Sequence, residues 1–304
     1  MAVKQVQAII NGQTYTLTLN NDTGKYEATI TAPTKSSYPL DGHYYGVTVK
    51  ASDDAGNITT VDQNHETLGE SLRLKVKEKV APVIVITYPT SSAVIINNKP
   101  TIRFKVTDND SGVNPATIGV TIDSGSKVTG DKIVKSKVSD GYECTYIPDT
   151  ALNDGSHTIK VDASDFDGNA AAQKSVTFKV DTVPPTLTIT SPAEGLVTNN
   201  SSITVTGKTN DATSSPVKVT VKLNSGNAEN VVVDESGNFS KQLTLVQGIN
   251  TITITATDSA GKQTTITRTV TLNTSAPVIT SVTLTPNPVD AGKTFIISVS
   301  VTDE

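Results

Sequence analysis

The sequence predicts an all-β chain built from tandem two-sheet sandwich modules. Three observations predict it. Apolar, mostly β-branched residues alternate strictly with polar ones, as in Ser202-Ile203-Thr204-Val205-Thr206 and Ile252-Thr253-Ile254-Thr255-Ala256. That period of two places one face of a strand in a core and the other in water. One strand-plus-turn signature occurs three times, and proline-marked junctions recur at domain-sized intervals. No segment sustains a helical period.

The composition supports a folded chain. Of 304 residues, 36% are hydrophobic and 18% charged, apolar enough for packed cores. Aromatics make up 4% and tryptophan is absent, so the cores must be filled by Val, Ile, Leu and Ala. Such residues suit narrow sandwiches.

The repeated signature reads Val47-Thr48-Val49-Lys50-Ala51-Ser52-Asp53-Asp54-Ala55-Gly56-Asn57, then Ile159 to Asn169, then Ile252 to Lys262. Each copy is an alternating strand that ends in Asp-x-x-Gly. Glycine supplies the positive φ of such a turn, and Asp bonds the local backbone. Another alternating strand follows each copy, so the unit is the closing hairpin of a sandwich. Module starts are marked by Ala81-Pro82-Val83-Ile84, Pro184-Pro185-Thr186-Leu187 and Ala276-Pro277-Val278-Ile279. Their prolines lie 185 − 82 = 103 and 277 − 185 = 92 residues apart, the size of one immunoglobulin-like domain. Linkers of one or two residues with proline are stiff, so the modules are expected to form a rod.

The modules fall at 1–80, 81–183, 184–275 and 276–304. The first pattern, Val3-Lys4-Gln5-Val6-Gln7-Ala8-Ile9-Ile10, matches Val217 to Asn224 in the third module. Residues 1–80 are therefore expected to hold strands C to G of an incomplete module. Residues 276–304 are expected to hold a two-strand A–B hairpin. A lone hairpin is marginal in water. Its apolar residues Val282, Leu284, Phe295, Ile297, Val299 and Val301 are expected to dock by β-augmentation, onto another copy of the chain or onto another particle protein. A head-to-tail contact of that kind closes a ring or propagates a filament.

Chemistry is sparse. His43, His65 and His157 show no zinc spacing, and neither a nucleophile elbow nor a phosphate loop is present, so no catalytic site is expected. The net charge of −5, with no basic cluster, argues against nucleic acid. Cys144 is the only cysteine, which excludes an intrachain disulfide. Its alternating neighbours read as a strand, with the thiol as a small buried hydrophobe. One cofactor suits the acids. Asp108, Asp110, Asp165, Asp167 and Asp181 bring hard oxygen donors near a module junction, the chemistry of calcium. Asp258 is followed by Lys262, a weaker set of donors. Turn chemistry is the alternative use of these acids. Tyr38, Tyr44 and Tyr45 cluster beside His43, where exposed rings stack on a sugar such as a host-surface glycan; packing against the sheet is the alternative.

The start, Met1-Ala2-Val3-Lys4-Gln5, has no secretory pattern, and no stretch reaches the roughly 18 apolar residues of a membrane span. No membrane insertion is expected. The reading is a chain synthesised in the cytoplasm and delivered without a cleaved signal.

The Asp-Thr-Val-Pro-Pro junction at 181–185 and the Ala-Ser-Asp-x-Asp-Gly-Asn and Ala-Thr-Asp-Ser-Ala-Gly strand ends resemble bacterial immunoglobulin-like domains. The tail from Val282 to Val301 resembles a segment at the ends of phage and prophage tail-associated structural proteins of Firmicutes. That resemblance implies a non-enzymatic structural component of a virion or phage-like particle, assembling through its termini. The alternatives are a cell-surface adhesin or carbohydrate-binding array, or an accessory region of a secreted enzyme. Both are extracellular.

Overall fold

The alternating stretches form strands throughout a computed structural model that describes residues 2–303. Contacts divide the chain into two compact units, Met1–Val180 and Asp181–Glu304. Among the described residues, no helix is long and apolar enough to cross a membrane.

The first unit opens with strands β1 (Val3–Ile10), β2 (Gln13–Asn20), β3 (Lys25–Glu27), β4 (Tyr45–Asp53), β5 (Ile58–Val61) and β6 (Arg73–Leu74). They form a single sheet in the order β3-β2-β1-β4-β5, with β6 on β4. Residues of the loops and Val6, Ala8 and Ile10 give this module a thin core. Its neighbour comprises β7 (Val83–Tyr88), β8 (Val94–Ile95), β9 (Ile102–Thr107), β10 (Val113–Ile122), β11 (Val134–Val138), β12 (Gly141–Tyr146), β13 (Gly155–Asp165) and β14 (Lys174–Val180). Two sheets, β11-β12-β9-β7 and β10-β13-β14-β8, face each other. Splitting strands this way, with β8 crossing to pair parallel with β14, is the immunoglobulin arrangement.

Alternation fills the space between those sheets. Phe104 and Val106 from one meet Ile159, Val161 and Phe178 from the other, all buried. Cys144 lies in this core, where burial pushes its thiol up to about 11, beyond reach of ionisation at neutral pH.

The second unit carries β15 (Thr186–Ser191), β16 (Leu196–Thr198), β17 (Ser202–Asn210), β18 (Lys218–Leu223), β19 (Glu229–Val231), β20 (Asn238–Thr244), β21 (Gly248–Thr257) and β22 (Gln263–Leu272). Its sheets are β15-β17-β20 and β16-β22-β21-β18-β19. Their core holds Val205, Val219, Val221, Phe239, Ile252, Ile254 and Val270. Gly207 lets β15 and the Phe239 ring approach, since a Cβ there would sit 2.3 Å from the Thr188 carbonyl. Strands β23 (Val278–Thr285) and β24 (Ile296–Thr302) pair only with each other. Every described residue after Asn273 is exposed, including Val282, Leu284, Phe295, Ile297, Val299 and Val301.

The strand β1 pairs with β4 as β10 pairs with β13 and β18 with β21. All three signature hairpins turn on a glycine with positive φ: Gly56 at 87°, Gly168 at 94° and Gly261 at 88°.

Candidate functional site

The acids gather at the pole of each complete module where the chain enters. Strand β9 ends at Thr107 and β17 at Asn210, so Asp108 and Asp211 each begin the following turn. Asp108 Oδ1 accepts the backbone N–H groups of Asp110 (2.9 Å) and Gly112 (2.7 Å). Asp211 Oδ1 accepts those of Thr213 (2.8 Å) and Ser214 (2.6 Å). At the hairpin turn, Asp165 Oδ1 accepts Asn169 N–H and Asp258 Oδ1 accepts Lys262 N–H, at 2.7 and 2.9 Å. The third acid comes from the entering segment: Glu78 is four residues before Pro82, and Asp181 is four before Pro185.

Two trios result, Glu78–Asp108–Asp165 in the first unit and Asp181–Asp211–Asp258 in the second. In each, one carboxylate oxygen per residue lies within 4.8 Å of the others. Both keep the same spacing from entry to turn, 108 − 78 = 30 and 211 − 181 = 30 residues.

This pairing redistributes the sequence-predicted ligands. Asp108 and Asp165 do come together. Asp110 does not join them: its Oδ1 accepts Ser36 N–H at 2.8 Å, and Lys35 lies 3.7 Å away. Asp167 is likewise engaged, its Oδ2 accepting Glu78 N–H at 2.9 Å. Asp181 belongs to the second trio. Those two acids fasten the first module to the second, because an incoming backbone is rich in unpaired N–H donors. Glu78 and Asp211 escaped the sequence reading. The signal for both was the shared 30-residue spacing.

The trios differ in how they are satisfied. In the first, Asn169 Nδ2 donates to Asp165 Oδ2 at 2.7 Å and to Glu78 Oε1 at 3.2 Å, and the Ser111 hydroxyl donates to Glu78 Oε1 at 3.2 Å. Burial and the nearby Asp165 raise the Glu78 pKa. Burial also opposes the charge on Asp165, but hydrogen bonds from Asn169 and Glu78 outweigh it and keep that pKa below the ordinary value. The pair therefore divides its roles into one carboxylate and one readily protonated acid. In the second trio, Lys262 stands at the Asn169 position and Ser214 at the Ser111 position. There, Asp181 Oδ2, Asp258 Oδ2 and the Ser214 hydroxyl are all buried without a hydrogen-bond partner.

The tyrosines are spent on structure. The Tyr38 ring lies between His43 and Phe166, each 4.2 Å away and within 15° of parallel, so neither face is open to a sugar. That corrects the glycan expectation for Tyr38, because the second module's own turn supplies the stacking partner. Tyr44 lies under the Arg73 guanidinium at 5.1 Å, and the Tyr45 hydroxyl donates to the Lys35 carbonyl at 3.2 Å. His157 is held by the Asp123 carboxylate and the Asn153 carbonyl, both at 2.8 Å. Burial opposes its charge, yet those two bonds prevail and raise its pKa.

Residues 89–182 match the family described as "Bacterial Ig-like domain", and residues 185–274 match "Glucodextranase, domain B". The chain is 31% identical over 199 residues, 66% of its length, to Bacillopeptidase F of Bacillus subtilis (strain 168). It spans 12% of that protein. Among solved structures, fibronectin(III)-like modules of Clostridium thermocellum CbhA match at 16% identity and TM-score 0.35, over 63% of this chain and 94% of that one. Sidekick-1 immunoglobulin domains 1–5 match at 13% identity and TM-score 0.39, over 98% of this chain and 60% of that one. The facing-sheet cores of the two modules over residues 81–275 thus have the immunoglobulin-like sandwich fold, in keeping with the two domain models that match them.

Proposed function

We propose that the chain is a non-catalytic accessory region of an extracellular bacterial protein. One observation carries this reading. The 199 residues shared with Bacillopeptidase F are 12% of that protein, so the likeness covers a small part of a much longer polypeptide named for peptidase activity. Sandwich modules of this kind space or present other parts, and fold alone assigns no chemistry. The polar groups fit such a role. The hollow beside the first trio, about 370 Å³, is lined by Asp108, Asp110, Lys137 and Tyr142 among others, and both of these acids accept backbone N–H groups. The peptidase relative favours this reading over a tail-particle component, which rests on the exposed hairpin β23–β24 alone.

The test is location and turnover together. An antibody against the chain should find it in the medium or on the surface of the source bacterium, and the purified chain should leave protein and glucan substrates intact. Recovery with sedimenting virion-like particles, or products above a protein-free control, would overturn the proposal.

A further inference from the structure

We propose that Asp181, Asp211, Asp258 and the Ser214 hydroxyl form a calcium-binding site, and that Glu78, Asp108 and Asp165 do not. The inference stands apart from the accessory-region reading, since it concerns only side chains within one unit.

Asp181, Asp211 and Asp258 are 1%, 8% and 5% exposed, and Ser214 is 1% exposed. Acidic side chains are almost never buried so deeply without a partner. Backbone donors fix one oxygen of each: Val183 N–H on Asp181 Oδ1 at 3.3 Å, and the bonds already given on Asp211 and Asp258. The remaining oxygens of Asp181 and Asp258, with the Ser214 Oγ, meet nothing. The Lys262 ammonium makes no ion pair with any acid of the trio.

A divalent cation resolves all of this at once. The donors are hard oxygens only, which suits calcium and disfavours zinc. Oxygens bound to one calcium at about 2.3–2.6 Å are at most about 5 Å apart. The 4.8 Å limit on the trio falls inside that span. Calcium accepts water or backbone carbonyls for its other positions. In the first trio the same centre is filled by protein donors. Asn169 Nδ2 and Ser111 Oγ point at the oxygens a metal would need.

The experiment uses the full chain, stripped with a chelator, then titrated calorimetrically with calcium chloride and melted with and without it. One calcium per chain is expected, with melting of the second unit raised by on the order of 10 °C at a calcium concentration 100-fold above Kd. Asp258→Asn should weaken binding at least tenfold while melting no lower than the parent in chelator, because it removes a buried charge. Glu78→Gln and Lys262→Ala should each retain one calcium. Ser214→Ala provides a second variant should Asp258→Asn not fold. Absence of both heat and a calcium-dependent shift in the parent chain would overturn the proposal. So would two calcium ions per parent chain, or a Glu78→Gln chain that loses its calcium.

Discussion

The two acid trios share donors, spacing and backbone anchors, yet one is closed and the other open. Asp53, Asp165 and Asp234 each have an asparagine four residues later, Asn57, Asn169 and Asn238. In all three, the asparagine N–H and side-chain amide each bind one carboxylate oxygen, at 2.9 and 2.8 Å, 2.7 and 2.7 Å, and 2.8 and 3.0 Å. At Asp258 that residue is Lys262, which offers its N–H and no amide. Asp53 and Asp234 are held this way near the surface, where their remaining lone pairs are open to solvent. Asp258 is buried and lacks that recourse. The side chain at that position is one clear difference between a trio closed by an amide and a trio whose oxygens are left without a protein donor.

Several changes break or sharpen this contrast. Asp165→Ala strands Asn169 and removes a charge-assisted network, so urea unfolding should show a loss of about 3 kcal/mol in the first unit. Asp258→Ala in chelator should cost the second unit less than about 1 kcal/mol, because it also relieves like-charge burial. Equal losses would erase the distinction. Next, Lys262→Asn restores the amide. It should stabilise the calcium-free second unit by about 1 kcal/mol and abolish its calcium response. A retained response would show that the amide does not fill the centre.

The pH dependence of the first unit has two arms. Asp165 has a depressed pKa, so its contribution is present above its ordinary value of 3.8 and is lost as pH falls through the folded value. Glu78 has a raised pKa, so its contribution is present below 4.5 and is lost as pH rises through the folded value. Melting temperature against pH should therefore rise and then fall across the acid range, and Glu78→Gln should remove the falling arm. A profile unchanged by Glu78→Gln would contradict the raised pKa of Glu78. The smallest effect belongs to the module contact: Tyr38→Ala removes the stack on Phe166 and should cost the first unit about 1 kcal/mol, leaving melting of the second unit unchanged.

Much of the fold was readable because alternation is a direct consequence of two-sided strands. Ile252, Ile254 and Ala256 are buried while Thr253 and Thr255 are not. Gly168 and Gly261 take the positive φ that Asp-x-x-Gly implies. The trios were only half readable. Asp108 and Asp165 stood out, but Asp110 and Asp167 were indistinguishable from them, because the competition of incoming Ser36 and Glu78 N–H groups is a tertiary event. Asp181 was visible, though its partners Asp211 and Asp258 sit 30 and 77 residues away. Lys262 looked like a weakness in the ligand set. Its significance is the amide it lacks, which only the position of Asn169 reveals.

The most direct measurement is the calcium stoichiometry of the Asn169→Lys chain by calorimetry. The first trio should then resemble the second, and the account predicts two calcium ions per chain where the parent binds one. A variant that folds and still binds only one would contradict the claim that the residue four positions after the turn aspartate sets the need for metal.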